Sequence, residues 1–170
     1  HFFPISTLNL NKPNQKTIFK INHGDNFSTN NWQFYISGEL TKNDGGAYPA
    51  NSNIKLINNF SAHLFTSAVI KLHNKIVDEC DYTGVTSSVK QYVQNTEADK
   101  GLSESSALIS DYTGGKFYVL GKLADLGFGF FEDVKLPVYR GGYEIAFIRN
   151  NDDDALYKWK GKKADGTVDE

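Results

Sequence analysis

Residues 117–159 read FYVLGKLADLGFGFFEDVKLPVYRGGYEIAFIRNNDDDALYKW and hold three apolar, strand-like runs around an aromatic segment that glycines interrupt. In the strongest run, Tyr143 to Arg149, the side chains alternate between two faces, which is the period of a β-strand. The segment contains no nucleophile, base or cluster of metal ligands. It therefore predicts a piece of β-sandwich whose residues serve packing.

The composition is that of a folded domain rich in strands. Hydrophobic residues make up 39% of the 170 residues and aromatic residues 14%, and the frequent Val, Ile, Tyr and Thr favour strands. This length suits one ordinary domain with a real core. We expect residues 1–15 to form an N-terminal arm and residues 16–170 to form a single domain. Because the sequence begins with His1 and has no methionine, we expect it to be part of a longer chain.

Alternation and turn signals predict further strands. From Trp32 to Lys42 the residues Trp32, Phe34, Ile36 and Leu40 share one face, which Gly38 interrupts. The Asn43–Gly46 cluster predicts a turn after this strand, and Val69–Val77 predicts a hairpin turning at residues 73–75. The remaining strand predictions are Ile18–Ile21, Phe117–Leu123, Lys135–Tyr139 and Ala155–Lys160.

One helix is predicted within residues 82–100, where Val85, Val89, Tyr92 and Val93 recur at the i, i+4, i+7 and i+8 spacing. Roughly eight short strands with one helix inserted in a long connection predict an all-β fold, an antiparallel β-sandwich. The excursion through a helix favours the jelly-roll type with an elaborated loop over the immunoglobulin-like type, which periodicity alone does not separate from it.

Charge patterning gives no electrostatic signal for nucleic acid or a membrane surface. The net charge is −2, whereas such partners need clustered Lys and Arg to neutralise phosphates. No apolar run approaches the roughly 18 residues of a membrane-spanning helix. The acidic run Asp152–Asp154 and the lysines after it are explained as solvated turn and tail charges. Cys80 is the single cysteine, so no intrachain disulfide forms and a reducing compartment fits best.

Catalytic and metal-binding arrangements are weak in this sequence. His63, His73, Asp78, Glu79 and Cys80 lack the short paired spacings of a zinc site, and a Cys80–His nucleophile has no oxyanion partner in the pattern. Asp152–Asp154 lacks the spacing, glycine and glutamate of a calcium-binding EF-hand loop. We predict no catalytic residue, no metal and no cofactor, and hence no enzyme.

The aromatic residues Phe128, Phe130 and Phe131 leave two alternatives open. They are core residues, or they form an exposed patch that contacts another subunit, since large apolar surface patches usually mark an interface. A subunit contact through these three side chains is the site prediction that the sequence offers.

Three blocks carry a resemblance to a known family. The first is Ile36–Gly45, ISGELTKNDG; the second runs from Leu56 to Asp78 through LINNF, LF and IKLHNKIVD; the third is GFGFFED at residues 127–133 followed by Tyr143–Tyr157. Together these blocks resemble the double jelly-roll major capsid proteins of Polinton/Maverick elements and adintoviruses. The resemblance spans roughly Trp32 to Trp159.

The resemblance implies a structural role in a virus-type shell. It implies two jelly rolls per subunit, three subunits per capsomer and capsomers tiling an icosahedral shell around double-stranded DNA, inside a host cell and then in the virion. The implied partners are copies of the chain, neighbouring capsomers, and penton and minor capsid proteins. A double jelly roll is far longer than 170 residues, so this chain corresponds at most to the first roll.

An alternative function of a different class is also open. A monomeric β-sandwich module that binds carbohydrate or a protein ligand would use exposed aromatic residues as a stacking platform, and the candidates are Trp32, Tyr48, Tyr112 and Trp159.

Overall fold

The computed structural model describes residues 2–6, 10–23, 32–42, 44–48, 54–94, 115–133 and 141–158, and within them the chain forms an antiparallel β-sandwich. This confirms the predicted all-β class and the antiparallel β-sandwich. The strands are β1 (Lys16–His23), β2 (Gln33–Leu40), β3 (Ile54–Leu56), β4 (Phe65–Leu72), β5 (Lys75–Asp81), β6 (Gly115–Lys122), β7 (Gly141–Arg149) and β8 (Leu156–Lys158). The helices are α1 (Phe60–His63), α2 (Thr83–Gln94) and α3 (Phe130–Asp133), with 3₁₀ helices at Leu123–Leu126 and Asp152–Ala155.

Strand pairing joins segments that are far apart in the sequence. One sheet has the order β1-β7-β4-β5, a second consists of β2 and β6, and a third of β3 and β8. Every one of these pairs is antiparallel. The β1–β7, β2–β6 and β4–β5 pairs are nested along the chain, each enclosing the next, and they alternate between the four-stranded sheet and the β2–β6 sheet.

Strand β2 confirms the predicted alternation residue by residue. Its side chains are exposed and half-buried in turn from Gln33 to Leu40. Gly38 interrupts the inward face because the ring of Phe117 on β6 occupies the place of a side chain: a Cβ on Gly38 would lie 2.5 Å from Phe117 Cζ. The predicted turn follows, and Gly45 adopts the positive φ of 82° that it requires.

The β4–β5 hairpin confirms the second turn prediction, with a shorter loop. Two residues, His73 and Asn74, form the loop with φ of 49° and 64°, which is the pattern of a type I′ turn. Leu72 and Lys75 pair on either side of it. His73 is exposed there.

The inserted helix is also present, as α2 between β5 and β6. Sequence periodicity missed α1 and α3, because each has only four residues and a single turn shows no repeat of the 3.6-residue period. The predicted strand Lys135–Tyr139 lies outside the described residues.

Aromatic side chains from both larger sheets and from the helices meet in one core. Phe60 of α1 contacts Phe117 of β6 with ring centroids 5.0 Å apart, and Phe128 contacts Phe147 of β7 at 6.3 Å. Both pairs have the edge-to-face geometry that aromatic quadrupoles favour. Buried aliphatic residues from β1, β4, β6 and β7 complete this core, among them Ile21, Ile70, Val119 and Ile145.

The N-terminal arm lies against its own chain where the structure describes it. The backbone N–H of Ile5 donates to the Ile18 carbonyl at 2.8 Å, and the Ile18 N–H donates to Ser6 Oγ at 2.8 Å. The arm therefore covers the outer edge of β1 around Ile18, and β1 is the edge strand of the four-stranded sheet. Covering an edge in this way blocks pairing with other strands.

The side chain of Arg149 binds the second described part of the arm, at Leu10. It is the one charged residue among the described residues that is buried, at 7% exposure. Its guanidinium donates to the carbonyls of Leu10 at 3.2 Å, Leu64 at 3.1 Å and Asn150 at 2.9 Å, and it pairs with Asp152. The pKa of Arg149 is lowered, because burial lowers it more than the Asp152 carboxylate raises it.

Candidate functional site

The three phenylalanines predicted as a subunit contact belong to the interior. Phe128 and Phe131 are 0% and 1% exposed, so the subunit-contact prediction is wrong for these two side chains and the core alternative holds. Gly127, with φ of 94°, ends the 3₁₀ helix Leu123–Leu126 in the left-handed region, and the chain then enters the core at Phe128. Phe130 is half-buried against Phe131 and Tyr143, and its N–H donates to Asp78 Oδ2 at 2.8 Å.

Cys80 and His63, which were considered for metal binding or nucleophilic catalysis, lie in surroundings that do not activate them. Cys80 is buried, and burial raises the pKa of its thiol, whereas an activated cysteine needs a lowered pKa. His63 Nε2 lies 3.2 Å from Ser88 Oγ, and burial lowers the pKa of His63 more than Asp154 raises it. In the part of the chain that the structure describes, His, Cys, Asp and Glu form no group placed to hold a metal ion.

Of the aromatic residues considered as a sugar platform, the structure describes two, and both are half-buried. Trp32 is half-buried, with its ring 5.5 Å from Phe131, 5.7 Å from Tyr143 and 6.5 Å from Phe2 between centroids. Tyr48 is also half-buried. Tyr112 and Trp159 lie outside the described residues. Trp32 is therefore committed to packing within its own chain.

Helix α2 has its apolar face turned away from the core. An amphipathic surface helix normally buries its apolar stripe and exposes its polar side. Here the apolar side chains are exposed, beside the exposed polar residues Thr86 and Gln94. We call these apolar side chains, together with the tyrosine that precedes the helix, the α2 stripe: Tyr82 (74% exposed), Val85 (59%), Val89 (61%), Tyr92 (90%) and Val93 (77%). The buried residues of α2 are Thr83, Gly84, Ser87 and Gln91.

Hydrogen bonds satisfy the polar inner face of α2. Asn59 donates from Nδ2 to Ser87 Oγ at 2.9 Å and to Ser88 Oγ at 3.0 Å, and Ser87 Oγ donates to the Asp125 carbonyl. Lys90 donates to the Ala124 carbonyl at 3.0 Å. The orientation of the helix is therefore fixed by specific polar contacts rather than by apolar burial.

Glycine at position 84 lets α2 approach α1 closely. A Cβ on Gly84 would lie 2.4 Å from His63 Nδ1 and 2.8 Å from His63 Cα. A larger residue would push the two helices apart.

A salt bridge between Lys90 and Glu132 of α3 lies at the other side of the inner face of α2. The hydrogen bond from Lys90 lowers the pKa of Glu132.

A second exposed apolar surface lies on the outer face of the β2–β6 sheet. Tyr35 of β2 pairs with Leu120 of β6. Tyr118, two residues before Leu120 on β6, lies on the same face of the sheet. All three are at least half exposed. Charged and amide residues bound the patch, because Gln33 pairs with Lys122 and Glu39 pairs with Lys116. We call Tyr35, Tyr118 and Leu120 the outer-sheet patch.

Both surfaces have a recognisable sequence pattern, but the pattern does not show which face points to solvent. The spacing of the α2 stripe predicted the helix without showing which way its apolar face points. The alternation of β2 placed Tyr35 opposite the apolar face, where an aromatic residue is an exception among polar neighbours. An aromatic residue on the polar face of a strand is the sign that would have indicated this patch.

Among the described residues no helix has the length and apolar character needed to cross a bilayer. A scan against protein-family models finds no match to this chain. A search of curated proteins also finds no significant match.

Proposed function

We propose that this chain is a structural subunit of a virus-type capsid, which self-assembles through homotrimeric capsomers into an icosahedral shell within a host cell. The nested strand pairing carries this proposal. A jelly roll arises when a long antiparallel hairpin of strands wraps around itself, so that nested pairs alternate between two sheets. The β1–β7, β2–β6 and β4–β5 pairs support the proposal, because they are nested and alternate between two sheets.

One pair departs from the jelly-roll pattern. β3 pairs with β8, which lies after β7 in the chain and therefore outside the nesting. β3 itself lies between β2 and β4, so we treat the pair as an added contact between the middle of the roll and the strand after β7. On this proposal the chain corresponds to the first of two jelly rolls in a double jelly-roll major capsid protein.

The exposed apolar surfaces agree with assembly. Apolar patches rimmed by polar residues on a folded protein usually mark interfaces with other molecules. The α2 stripe and the outer-sheet patch lie on different elements, so one subunit offers two separate contacts. A shell needs at least two, since each subunit touches partners within its capsomer and in neighbouring capsomers.

The test is the assembly state of the full-length gene product expressed inside cells. Native mass determination and negative-stain electron microscopy would be applied to the same preparation. We expect trimers or closed shells. A species that remains monomeric at every protein concentration would overturn the proposal.

The outer-sheet patch also supports the alternative function of a carbohydrate-binding module. Tyr35 and Tyr118 present two exposed rings on one face of the β2–β6 sheet, and aromatic rings stack on sugar rings. Isothermal titration of the monomer against a glycan panel tests this function. Binding that Tyr118→Ala abolishes would support it, and absence of heat with every glycan would refute it.

A further inference from the structure

We propose that the α2 stripe is a contact between two copies of this chain, in which α2 of one copy packs against α2 of the other about a two-fold axis. The proposal deepens the proposed self-assembly and rests on it. Five apolar or aromatic side chains that are 59–90% exposed on one side of a 12-residue helix and the residue before it carry the inference.

The stripe is not exposed through a loosely placed helix. Gly84, Ser87 and Gln91 fill the inner face, and the amide of Asn59 bonds two serines there. Turning the helix to bury the valines would put them against these polar partners and leave the partners unsatisfied. A buried polar group without a hydrogen bond is unfavourable, so the sequence specifies the outward orientation.

The size of the stripe fits a dimer contact. Its five side chains expose roughly 600 Å² in all, whereas a standard specific interface buries about 800 Å² on each partner. The stripe alone therefore supplies most of one side of such an interface. Helices pack at interaxial distances of about 8–10 Å, which these valines permit because they are short.

The absence of charge on the stripe suits a second copy as the occupant. Lys90 is the one charged residue of α2, and it points to the inner side, where it pairs with Glu132. The stripe is uncharged, so two identical stripes meet across a two-fold axis without repulsion. A partner with a charged surface would find no complementary charge on the stripe.

Two matched variants of the full-length protein test the contact. Val89→Glu places a carboxylate in the middle of the stripe, and two such carboxylates would face each other across the axis. Ile76→Glu makes the same change on β5, outside both apolar surfaces, at nearly equal exposure (61% for Val89 and 57% for Ile76). The readouts are sedimentation velocity over a range of protein concentrations and circular dichroism with thermal unfolding of each variant.

We expect Val89→Glu to weaken the two-fold association at least tenfold, and Ile76→Glu to leave that association within twofold of the wild type. At protein concentrations low enough for wild type and variant both to be monomeric, we expect Val89→Glu to leave the unfolding midpoint unchanged. Wild-type protein that assembles while Val89→Glu assembles equally well would overturn this inference alone. A wild type that is monomeric throughout would overturn the proposed function with it. A lowered unfolding midpoint for Val89→Glu at those monomeric concentrations would show that the chain's own residues cover the stripe, which also refutes the contact.

Cross-linking identifies the occupant directly. Val89→Cys introduces a thiol close to the proposed axis, while the native Cys80 is buried with a raised pKa and reacts poorly. A short bismaleimide is expected to link two copies through residue 89, as peptide mapping would show. Links only within one chain, or only to a different protein, would overturn the proposal.

Discussion

Replacing Arg149 with methionine is expected to lower the free energy of unfolding by about 2–3 kcal/mol. Methionine keeps the length and apolar stem of the side chain but donates no hydrogen bond. The carbonyls of Leu10 and Asn150 lose the guanidinium donor. The Leu64 carbonyl keeps a second donor, the Asn150 N–H at 2.8 Å. Two carbonyls left without this donor, at about 1–1.5 kcal/mol each, give the expected loss.

The ion pair with Asp152 contributes little to this figure. The Asp152 side chain is 63% exposed, and exposed ion pairs contribute about 0–1 kcal/mol because water screens them. Asp152→Asn is therefore the matched control, with an expected loss below about 1 kcal/mol. Lysine at position 149 would keep the buried charge but lose the planar fork of donors, so we expect Arg149→Lys to destabilise the chain about as much as Arg149→Met.

Urea unfolding followed by tryptophan fluorescence measures all three variants. The midpoint and slope of each transition separate a change in stability from a change in the unfolded state. Equal losses for Asp152→Asn and Arg149→Met would refute the reasoning, because they would make the ion pair the main contribution. A wild-type-like Arg149→Lys would refute it as well. Limited proteolysis adds a second readout, since loss of the bond to Leu10 should speed cleavage in residues 1–15.

Three further predictions concern α2 and the core. Gly84→Ala should destabilise the chain by about 1–3 kcal/mol in urea unfolding, because the new Cβ would collide with His63. Alanine normally favours a helix, so a stabilised variant would contradict the close approach of α1 and α2. Burial holds the pKa of His63 below its usual value, so the unfolded chain binds this proton first as the pH falls below about 6.5. The stability is thus full above that pH and declines below it, and His63→Gln should lose less stability between pH 7 and pH 5 than the wild type; equal pH profiles would oppose this. Thr17 Oγ1 is buried without a hydrogen-bond partner, so Thr17→Val should raise the unfolding free energy by about 1 kcal/mol, and a lower value would indicate a partner for that hydroxyl.

Local patterns in the sequence predicted those elements whose signal is itself local. The alternation of β2, the glycine turn after it and the β4–β5 hairpin depend on neighbouring residues, and the structure confirms each. The pairing of β3 with β8 was not predictable, because each strand has three residues and about a hundred residues separate them. Short strands far apart in sequence carry no periodicity that identifies the partner.

The α2 stripe shows more clearly what a sequence pattern cannot predict. Periodicity gives the phase of an apolar stripe, but the direction of the stripe depends on what the opposite face contacts. For α2 that contact is Asn59, which precedes the helix by more than twenty residues and reads as an ordinary turn residue. The same holds for Phe128 and Phe131, since the sequence shows aromatic residues between glycines and only tertiary packing determines that they are buried.

The hydrogen bonds of Asn59 also bear on how the protein is made. Asn59-Phe60-Ser61 is an Asn-X-Ser sequence, the acceptor for N-linked glycans in a secretory pathway. A glycan on Nδ2 would occupy the nitrogen that bonds Ser87 and Ser88 and would wedge a sugar between α1 and α2. Glycan transfer before α2 docks would thus trap the chain in a form that cannot complete its core. Expression in the cytosol avoids this competition, and in a secreting host Ser61→Ala removes the acceptor signal while the Asn59 amide stays in place.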